Sequence, residues 1–227
     1  AAIDGLKEEL VQVSDAIWRN PELSYQEYKA HELLTNFLEA KGFRVERSYT
    51  GIKTAFRATY GEGRPNVCVI CEYDALPGIG HACGHNLIAE AGLTAGIGIK
   101  AALESAQLGR ITVLGTPAEE SGSGKVQLLQ NGAFGDVDVA LMMHPSSFTC
   151  VYPHYLAIAC YTVTYTGRAA HAAAFPWEGV NALDAAVLAY TMISHARQQL
   201  KPECRVHGVI LEGGTKPNII PERAVLE

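Results

Sequence analysis

Three short and almost continuously apolar runs alternate with helical segments through the first part of the chain. The apolar runs are residues 66–71, 110–114 and 137–143, and residues 86–104 and 125–131 have helical patterning. Strands buried on both faces have such apolar sequences, because helices cover both sides of the parallel sheet that they form. The pattern therefore predicts an α/β fold, with a mostly parallel sheet and helices on both faces.

Two amphipathic helices are predicted before the first apolar run. Apolar residues at three- and four-residue steps through Ile17 predict a helix that ends at Asn20-Pro21. Ser24-Tyr25-Gln26-Glu27 matches a capping box, and the second helix that it would begin stops at Lys41-Gly42. Strands are expected at 44–49 and 54–60.

The pattern changes after about Tyr155. Residues 160–166 alternate like a half-buried strand, and residues 179–199 have helical patterning. Residues 205–211 and 224–227 are further predicted strands. The arrangement indicates the beginning of a smaller α+β domain.

The composition excludes several classes of protein. Hydrophobic residues make up 48% of the 227 positions, which suffices for a core, but no run approaches the roughly 18 apolar residues of a membrane span. The net charge is −6 without a Lys/Arg-rich block, which argues against a nucleic-acid partner. The six cysteines lack the regular spacing of a disulfide scaffold, so we predict reduced thiols and a cytoplasmic protein.

Residues of types that commonly bind metals follow the predicted strands. Cys83 and His85 lie in a Gly-rich turn after the first apolar run, Glu119 and Glu120 follow the second, and His144 ends the third. Sites in such sheets form at the carboxyl ends of the strands. A thiol, two imidazoles and two carboxylates supply ligands for a divalent ion and leave one carboxylate as a base. The sequence therefore predicts a hydrolytic metal site.

Each of these residues also has an ordinary structural interpretation. Cys83 and His85 alone suit a buried thiol beside a helix-capping imidazole, and His144 alone suits a core histidine. Their combination with the acidic pair favours the metal site, because acceptor groups are costly to gather where no cation lies. In a strand, Glu119 and Glu120 would point to opposite faces, so that one would bind metal while the other faces substrate.

Two other motifs are rejected. Cys68 and Cys71 match a redox Cys-x-x-Cys pattern, but they lie within a predicted strand and not at the start of a helix, where a thiol pKa falls. Ser121-Gly122-Ser123-Gly124-Lys125 has part of a phosphate-loop pattern. Glu119 occupies the position of its first glycine, and Val126 replaces the Ser or Thr that binds magnesium.

The chain resembles the aminoacylase and amidohydrolase family of co-catalytic metallopeptidases, and is most similar to its β-alanyl-lysine dipeptidase type. The resemblance covers almost the whole chain. The segments that carry it are residues 19–24, 71–80, 81–88, 115–120, 171–173, 179–184 and 216–221.

The resemblance implies a catalytic domain with two divalent ions, Zn or Mn, interrupted by an inserted lid through which the protein forms a homodimer. Residues 1–156 would be the first part of the catalytic domain, and residues 157–227 an incomplete lid. The last His ligand is expected after Glu227, and an isolated chain of this length is expected to be inactive.

Roles for individual residues also follow from the resemblance. The metal ligands would be Cys83, His85, Glu120 and His144. Glu119 would be the general base that activates water with the metals, and Asp74 an orienting carboxylate.

In the lid, His171 and Asn218 would contact substrate, with His171 reaching the active site of the partner subunit. The chain departs from many amidohydrolases at Asn86, where they have Asp.

The expected activity is hydrolysis of a small amide or dipeptide, a β-alanyl dipeptide or a similar N-acyl-amino acid. The partners would be this substrate and a second copy of the chain, with neither nucleic acid nor membrane. Two alternatives remain: an amidohydrolase of the hippurate or aminobenzoyl-glutamate type, and a catalytically silent dimeric scaffold. An intact set of catalytic residues argues against the scaffold.

Overall fold

The computed structural model describes residues 2–106 and 109–227. The chain divides into two compact units, Ala1–Thr149 and Cys150–Glu227. No helix among the described residues combines the length and the apolar character needed to cross a membrane.

The first unit contains a five-stranded mixed sheet. Its strands are β1 (Arg44–Arg47), β2 (Phe56–Glu62), β3 (Asn66–Cys71), β4 (Gly109–Gly115) and β5 (Val139–Leu141). Their spatial order is β1-β2-β4-β3-β5. Strand β3 runs parallel to both of its neighbours, β4 and β5, whereas β1 and β2 are antiparallel additions at the other side. The predicted α/β class is confirmed, and the three predicted apolar runs form the parallel part of the sheet.

Five helices accompany this sheet: α1 (Lys7–Arg19), α2 (Tyr28–Ala40), α3 (His85–Ala106), α4 (Glu119–Gly122) and α5 (Gly124–Gln130). The apolar faces of α1, α2 and α3 meet the sheet in one buried core, which includes Ile17, Leu34 and Leu93. Burying a side chain of this size stabilises a protein by about 1.5–3 kcal/mol. Leu128 of α5 belongs to a second, smaller cluster with Ile52.

The predicted capping box is wrong. Helix α2 begins at Tyr28, and the amides of Lys29 and Ala30 donate to the Glu22 carboxylate at 2.9 and 3.0 Å. Ser24 and Glu27 instead make tertiary hydrogen bonds, to Asp74 and to the amide of Ala118. The local pattern was misleading because these side chains bind distant parts of the chain.

The second unit is an antiparallel sheet with one long helix. Strands β6 (Val163–Thr166), β7 (Ile210–Glu212) and β8 (Arg223–Leu226) have the order β6-β8-β7. Helix α6 (Ala182–Ala196) is capped by Asn181, whose side-chain oxygen accepts hydrogen bonds from the amides of Leu183 and Asp184. The predicted strands 160–166 and 205–211 are shorter than expected.

Helix α3 lies very close to the sheet because small residues face it. A methyl group added at Gly92 would overlap the Cys71 sulfur and lie 3.1 Å from the Ile70 carbonyl oxygen. Gly98 of the same helix has a looser environment, in which an added methyl group would meet only the flexible end of Ile3, at 3.2 Å. The absence of a side chain at Gly92 therefore allows the close contact between this helix and the sheet.

We predict that Gly92→Ala destabilises the protein, because overpacking costs about 1–3 kcal/mol and exceeds the gain of about 1 kcal/mol in helix propensity. The matched change Gly98→Ala should be neutral or stabilising. Urea unfolding followed by circular dichroism measures both. Equal stabilities for the two variants would contradict the close approach of α3 to β3.

Candidate metal centre

The predicted ligands converge because the three parallel strands end at one edge of the sheet. Strand β3 leads into Glu72 and Asp74, β4 leads into the turn before α4, and β5 leads to His144. The amide of Thr116 donates to the Cys71 carbonyl oxygen at 2.9 Å, which holds the ends of β3 and β4 together. Because β3 lies between β4 and β5, the side chains that follow it occupy the middle of the site.

His85 occupies the centre of this group. It is fully buried at the first position of α3, and its Nδ1 lies 3.1 Å from Asp74 Oδ1. An ionised carboxylate only accepts hydrogen bonds, so this contact assigns the Nδ1 proton to His85 and leaves the lone pair of Nε2 free. Nε2 faces three carboxylate oxygens, from Glu72 at 3.4 Å, Glu120 at 3.7 Å and Glu119 at 3.8 Å.

Three buried polar atoms at this point make no hydrogen bond with any described residue: Glu72 Oε2, His85 Nε2 and Glu120 Oε1. Buried polar atoms in native proteins are nearly always satisfied, so such a cluster needs an explanation. A divalent cation would satisfy all three at once, because each offers a lone pair. The residues present therefore fit a bound metal ion.

A second group of potential ligands shares His85. Cys83 Sγ lies 3.8 Å from His144 Nε2, and the ligand atoms of Cys83, His85 and His144 all lie within 4.8 Å of one another. The Nδ1 atom of His144 donates a hydrogen bond of 2.8 Å to the carbonyl oxygen of Pro145, which leaves the lone pair of Nε2 available to a metal. His85, Glu119 and Glu120 form the other such group.

Gly84 allows this close approach. It has a φ of +80°, and an added Cβ would lie 2.9 Å from Pro145 Cγ. The residue between Cys83 and His85 therefore has to be glycine, both for its left-handed backbone and for the approach of the segment that carries His144.

The electrostatics of the site show an excess of negative charge. Burial, and next the charge of Glu120, raise the pKa of the Cys83 thiol to about 11. Burial, followed by the charge of Glu72, also raises the pKa of Glu119. Burial alone would lower the pKa of His85, but the hydrogen bond to Asp74 and the charge of Glu72 outweigh it and leave that pKa raised. Each shift has the direction that an uncompensated group of carboxylates produces.

Glu72 and Lys125 are residues of this site to which the sequence analysis assigned no role. Glu72 is only 2% exposed, forms an ion pair with Lys125 through Oε1 and directs Oε2 toward His85. Its position directly after β3, two residues before Asp74, was an available signal. Lys125 was considered only as part of the rejected phosphate loop.

The expected placement of Glu119 and Glu120 on opposite faces of a strand is wrong. They occupy the first turn of α4 rather than a strand, and both approach the same atom of His85. The preceding Ala118 has a φ of +57°, which ends the extended backbone and turns the chain back over the site. Asp74 fixes this turn, because its Oδ2 accepts a hydrogen bond of 3.0 Å from the amide of Glu120.

The remaining predicted site residues lie in the second unit. His171 and Asn218 lie in neighbouring segments there. The amide of Ala172 donates to the Asn218 carbonyl oxygen at 3.0 Å, and His171 and Ile219 form an isolated antiparallel β-bridge. The side chains of His171 and Asn218 are exposed. The amides of Ala173 and Ala174 donate to His171 Nδ1 at 3.2 Å, so the proton of the neutral ring lies on Nε2.

Asn86, where the sequence departs from many amidohydrolases, has a structural partner. Its side-chain amide donates to the Ser14 hydroxyl at 3.0 Å, in the buried contact between α1 and α3. Asn86 therefore links the helix that carries His85 to the first helix of the chain.

Comparison with known proteins shows similarity to peptidases and to an amide hydrolase. Residues 157–227 match the M20_dimer family, the peptidase dimerisation domain. The chain is 52% identical to a mouse (Mus musculus) Xaa-Arg dipeptidase over 238 residues, which cover 99% of this chain and 55% of the relative. It is 36% identical to a p-aminobenzoyl-glutamate hydrolase polypeptide of Escherichia coli over 243 residues, 98% of this chain and 50% of the relative.

The chain thus spans about half the length of the curated relatives that it matches. Among solved structures, the YXEP protein of Bacillus subtilis, a dinuclear metal-binding peptidase of the M20 family, shares the fold with a TM-score of 0.61. That match has 20% identity and covers 98% of this chain and 63% of the other. The chain is thus similar, over nearly its whole length, to parts of a dipeptidase and of an amide hydrolase, and its residues 157–227 match the peptidase dimerisation domain.

Proposed function

We propose that this chain carries most of the metal centre of a hydrolase that cleaves a dipeptide or a similar small amide. The observation that supports this most strongly is the set of unpaired buried atoms around His85, which fits a cation beside a free carboxylate. We further propose two divalent ions, Zn or Mn, with Cys83, His85, Glu120 and His144 as ligands. The thiol favours zinc, although a mixed set of N, O and S donors does not decide the metal.

For the substrate we propose a dipeptide with a basic carboxyl-terminal residue, of the β-alanyl-lysine or Xaa-Arg kind. The family resemblance indicates the first, and the name of the 52% identical mouse relative indicates the second. Both substrates end in a long cationic side chain. The aminobenzoyl-glutamate relative is less similar, at 36% identity, so hydrolysis of that kind of substrate is less favoured.

In the proposed reaction, Cys83, His85, Glu120 and His144 would hold the metal ions, which would supply a water of lowered pKa and a Lewis acid for the substrate carbonyl. Glu119 accepts the proton of the attacking water and then donates it to the leaving nitrogen. Asp74 holds Nδ1 of His85, so that Nε2 remains directed into the site. His171 donates its Nε2 proton toward the carbonyl oxygen as negative charge develops there.

We also propose that residues 1–156 belong to the catalytic domain and that residues 157–227 are a lid through which two subunits associate. The dimerisation-domain match supports the second assignment. An exposed apolar side of α6, which includes Leu188 and Met192, suits contact with another copy of the chain. Each of the six cysteines is a free thiol, which fits the proposed cytoplasmic location.

We predict that Glu119→Gln retains its metal but lowers kcat by about 10²- to 10⁴-fold, the usual range for a lost acid–base group. The complete protein would be assayed on β-alanyl-lysine, alanyl-arginine, hippurate and p-aminobenzoyl-glutamate, with metal content measured by mass spectrometry. Glu46→Gln, on strand β1, is a control of the same chemical type. Near-normal turnover in Glu119→Gln would remove the residue from its role. Failure of the wild type on all four substrates would contradict the proposed activity.

If His171 acts in the active site of the partner subunit, two inactive variants should complement each other. Mixing Glu119→Gln subunits with His171→Ala subunits should restore activity, because one site of the mixed dimer combines an intact Glu119 with an intact His171 from the partner. Native mass spectrometry would verify that mixed dimers form. Mixed dimers as inactive as either parent would exclude the arrangement across the dimer.

A further inference from the structure

The connection between α1 and α2 contacts both of the turns that carry the metal centre. On one side, the amide of Ala75 donates to the Glu22 carbonyl oxygen at 2.8 Å, and the Ser24 hydroxyl donates to Asp74 Oδ2 at 3.3 Å. These bonds reach the turn after β3. Asp74 is the same residue that orients His85.

On the other side, Glu27 binds the turn after β4. Its side chain is fully buried, and its Oε1 accepts two hydrogen bonds of 2.9 Å, from the amides of Ala118 and Tyr25. Ala118 directly precedes Glu119 and Glu120. One buried oxygen therefore joins the α1–α2 connection to the backbone from which both carboxylates project.

Tyr25 holds the other end of the same short helix. Its hydroxyl donates to the Gly122 carbonyl oxygen at 2.7 Å, and its ring lies so close that a side chain at Gly122 would overlap it. Helix α4, Glu119–Gly122, is thus held by Glu27 through Ala118, the residue that precedes it, and by Tyr25 at its last residue.

The backbone at this point is strained in a way that needs such support. Tyr25, Ala118 and Ser123 have φ angles of +62°, +57° and +52°. Residues other than glycine adopt this region rarely and keep it only where surrounding contacts impose it. Ala118 and Ser123 flank α4, and the amide of Tyr25 donates one of the two hydrogen bonds that Glu27 accepts.

We propose that Glu27, assisted by Tyr25, is a positioning residue of the metal centre, which fixes the orientation of Glu119 and Glu120 through the backbone of α4. The inference rests on the proposed metal site. Among the described residues, Glu27 makes no hydrogen bond to the side chain of a proposed metal ligand, and it acts through the Ala118 amide. Its effect should therefore appear in metal affinity and in kcat, with KM little changed.

The test compares Glu27→Leu with Glu27→Gln in the complete protein. Leucine removes the acceptor, so metal affinity and kcat should each fall by about 10- to 100-fold, the usual effect of losing a residue that orients a ligand. Glutamine keeps a carbonyl oxygen that accepts both amides, so it should restore affinity and kcat close to wild type. Zn²⁺ affinity would be measured by competition with a chromogenic chelator, and melting temperature would be recorded for every variant.

Thr35→Val serves as the matched control, because Thr35 is a fully buried polar residue of α2 whose hydroxyl donates only within the helix, to the His31 carbonyl oxygen at 2.7 Å. A Glu27→Leu variant that binds Zn²⁺ as tightly as Thr35→Val would overturn the proposal. A Glu27→Gln variant as defective as Glu27→Leu would also overturn it, since the acceptor would then be irrelevant.

If Glu27→Leu does not fold, the Zn²⁺ affinity of Tyr25→Phe tests the proposal instead. Tyr28→Phe, at an exposed neighbouring position, is its control. Tyr25→Phe should bind Zn²⁺ more weakly and Tyr28→Phe should bind it as the wild type does; equal binding in both variants would overturn the proposal. If the wild type binds Zn²⁺ but hydrolyses none of the dipeptides, the proposed activity fails, while the affinities still decide the role of Glu27.

Discussion

Negative charge gathered around one buried histidine is the constraint on which the rest of the first unit depends. His85 Nε2 has a carboxylate oxygen of each of Glu72, Glu119 and Glu120 within 3.8 Å. The other ring nitrogen, Nδ1, is hydrogen-bonded to Asp74. Two like charges about 4 Å apart repel by about 4 kcal/mol at the effective dielectric of such a site. Lys125 offsets part of this repulsion through Glu72. A metal ion would offset the remainder, and would also bind the unpaired atoms of these residues.

Strand pairing, close backbone approaches at glycines and hydrogen bonds to backbone amides hold the proposed ligands in this arrangement. Parallel pairing of β3 with β4 and β5 brings three strand ends to one edge. Gly84 lets the segment with His144 approach Cys83, and Gly92 lets α3 lie close behind. The amides of the α4 turn are then fixed by Asp74 and Glu27, two carboxylates that come from different parts of the chain.

Much of this could be predicted from the sequence where the determining interactions are local. Strand β3 has the predicted boundaries, because a buried parallel strand leaves a continuous apolar run. The clustering of Cys83, His85 and His144 followed from strand order. The failures involve tertiary contacts: the apparent capping box is a pair of long-range hydrogen bonds, and the roles of Glu72 and Glu27 depend on partners 53 and 91 residues away. No local pattern encodes such partners.

The central claim is that the groups around His85 form a metal centre, and anomalous diffraction tests it most directly. Crystals of the complete protein grown with Zn²⁺ would be measured on both sides of the zinc absorption edge. We expect anomalous density in contact with His85 Nε2, with Cys83, His144 and Glu120 at ligand distance around the ions. Absence of that density, with Nε2 of His85 hydrogen-bonded directly to Glu72, would contradict it.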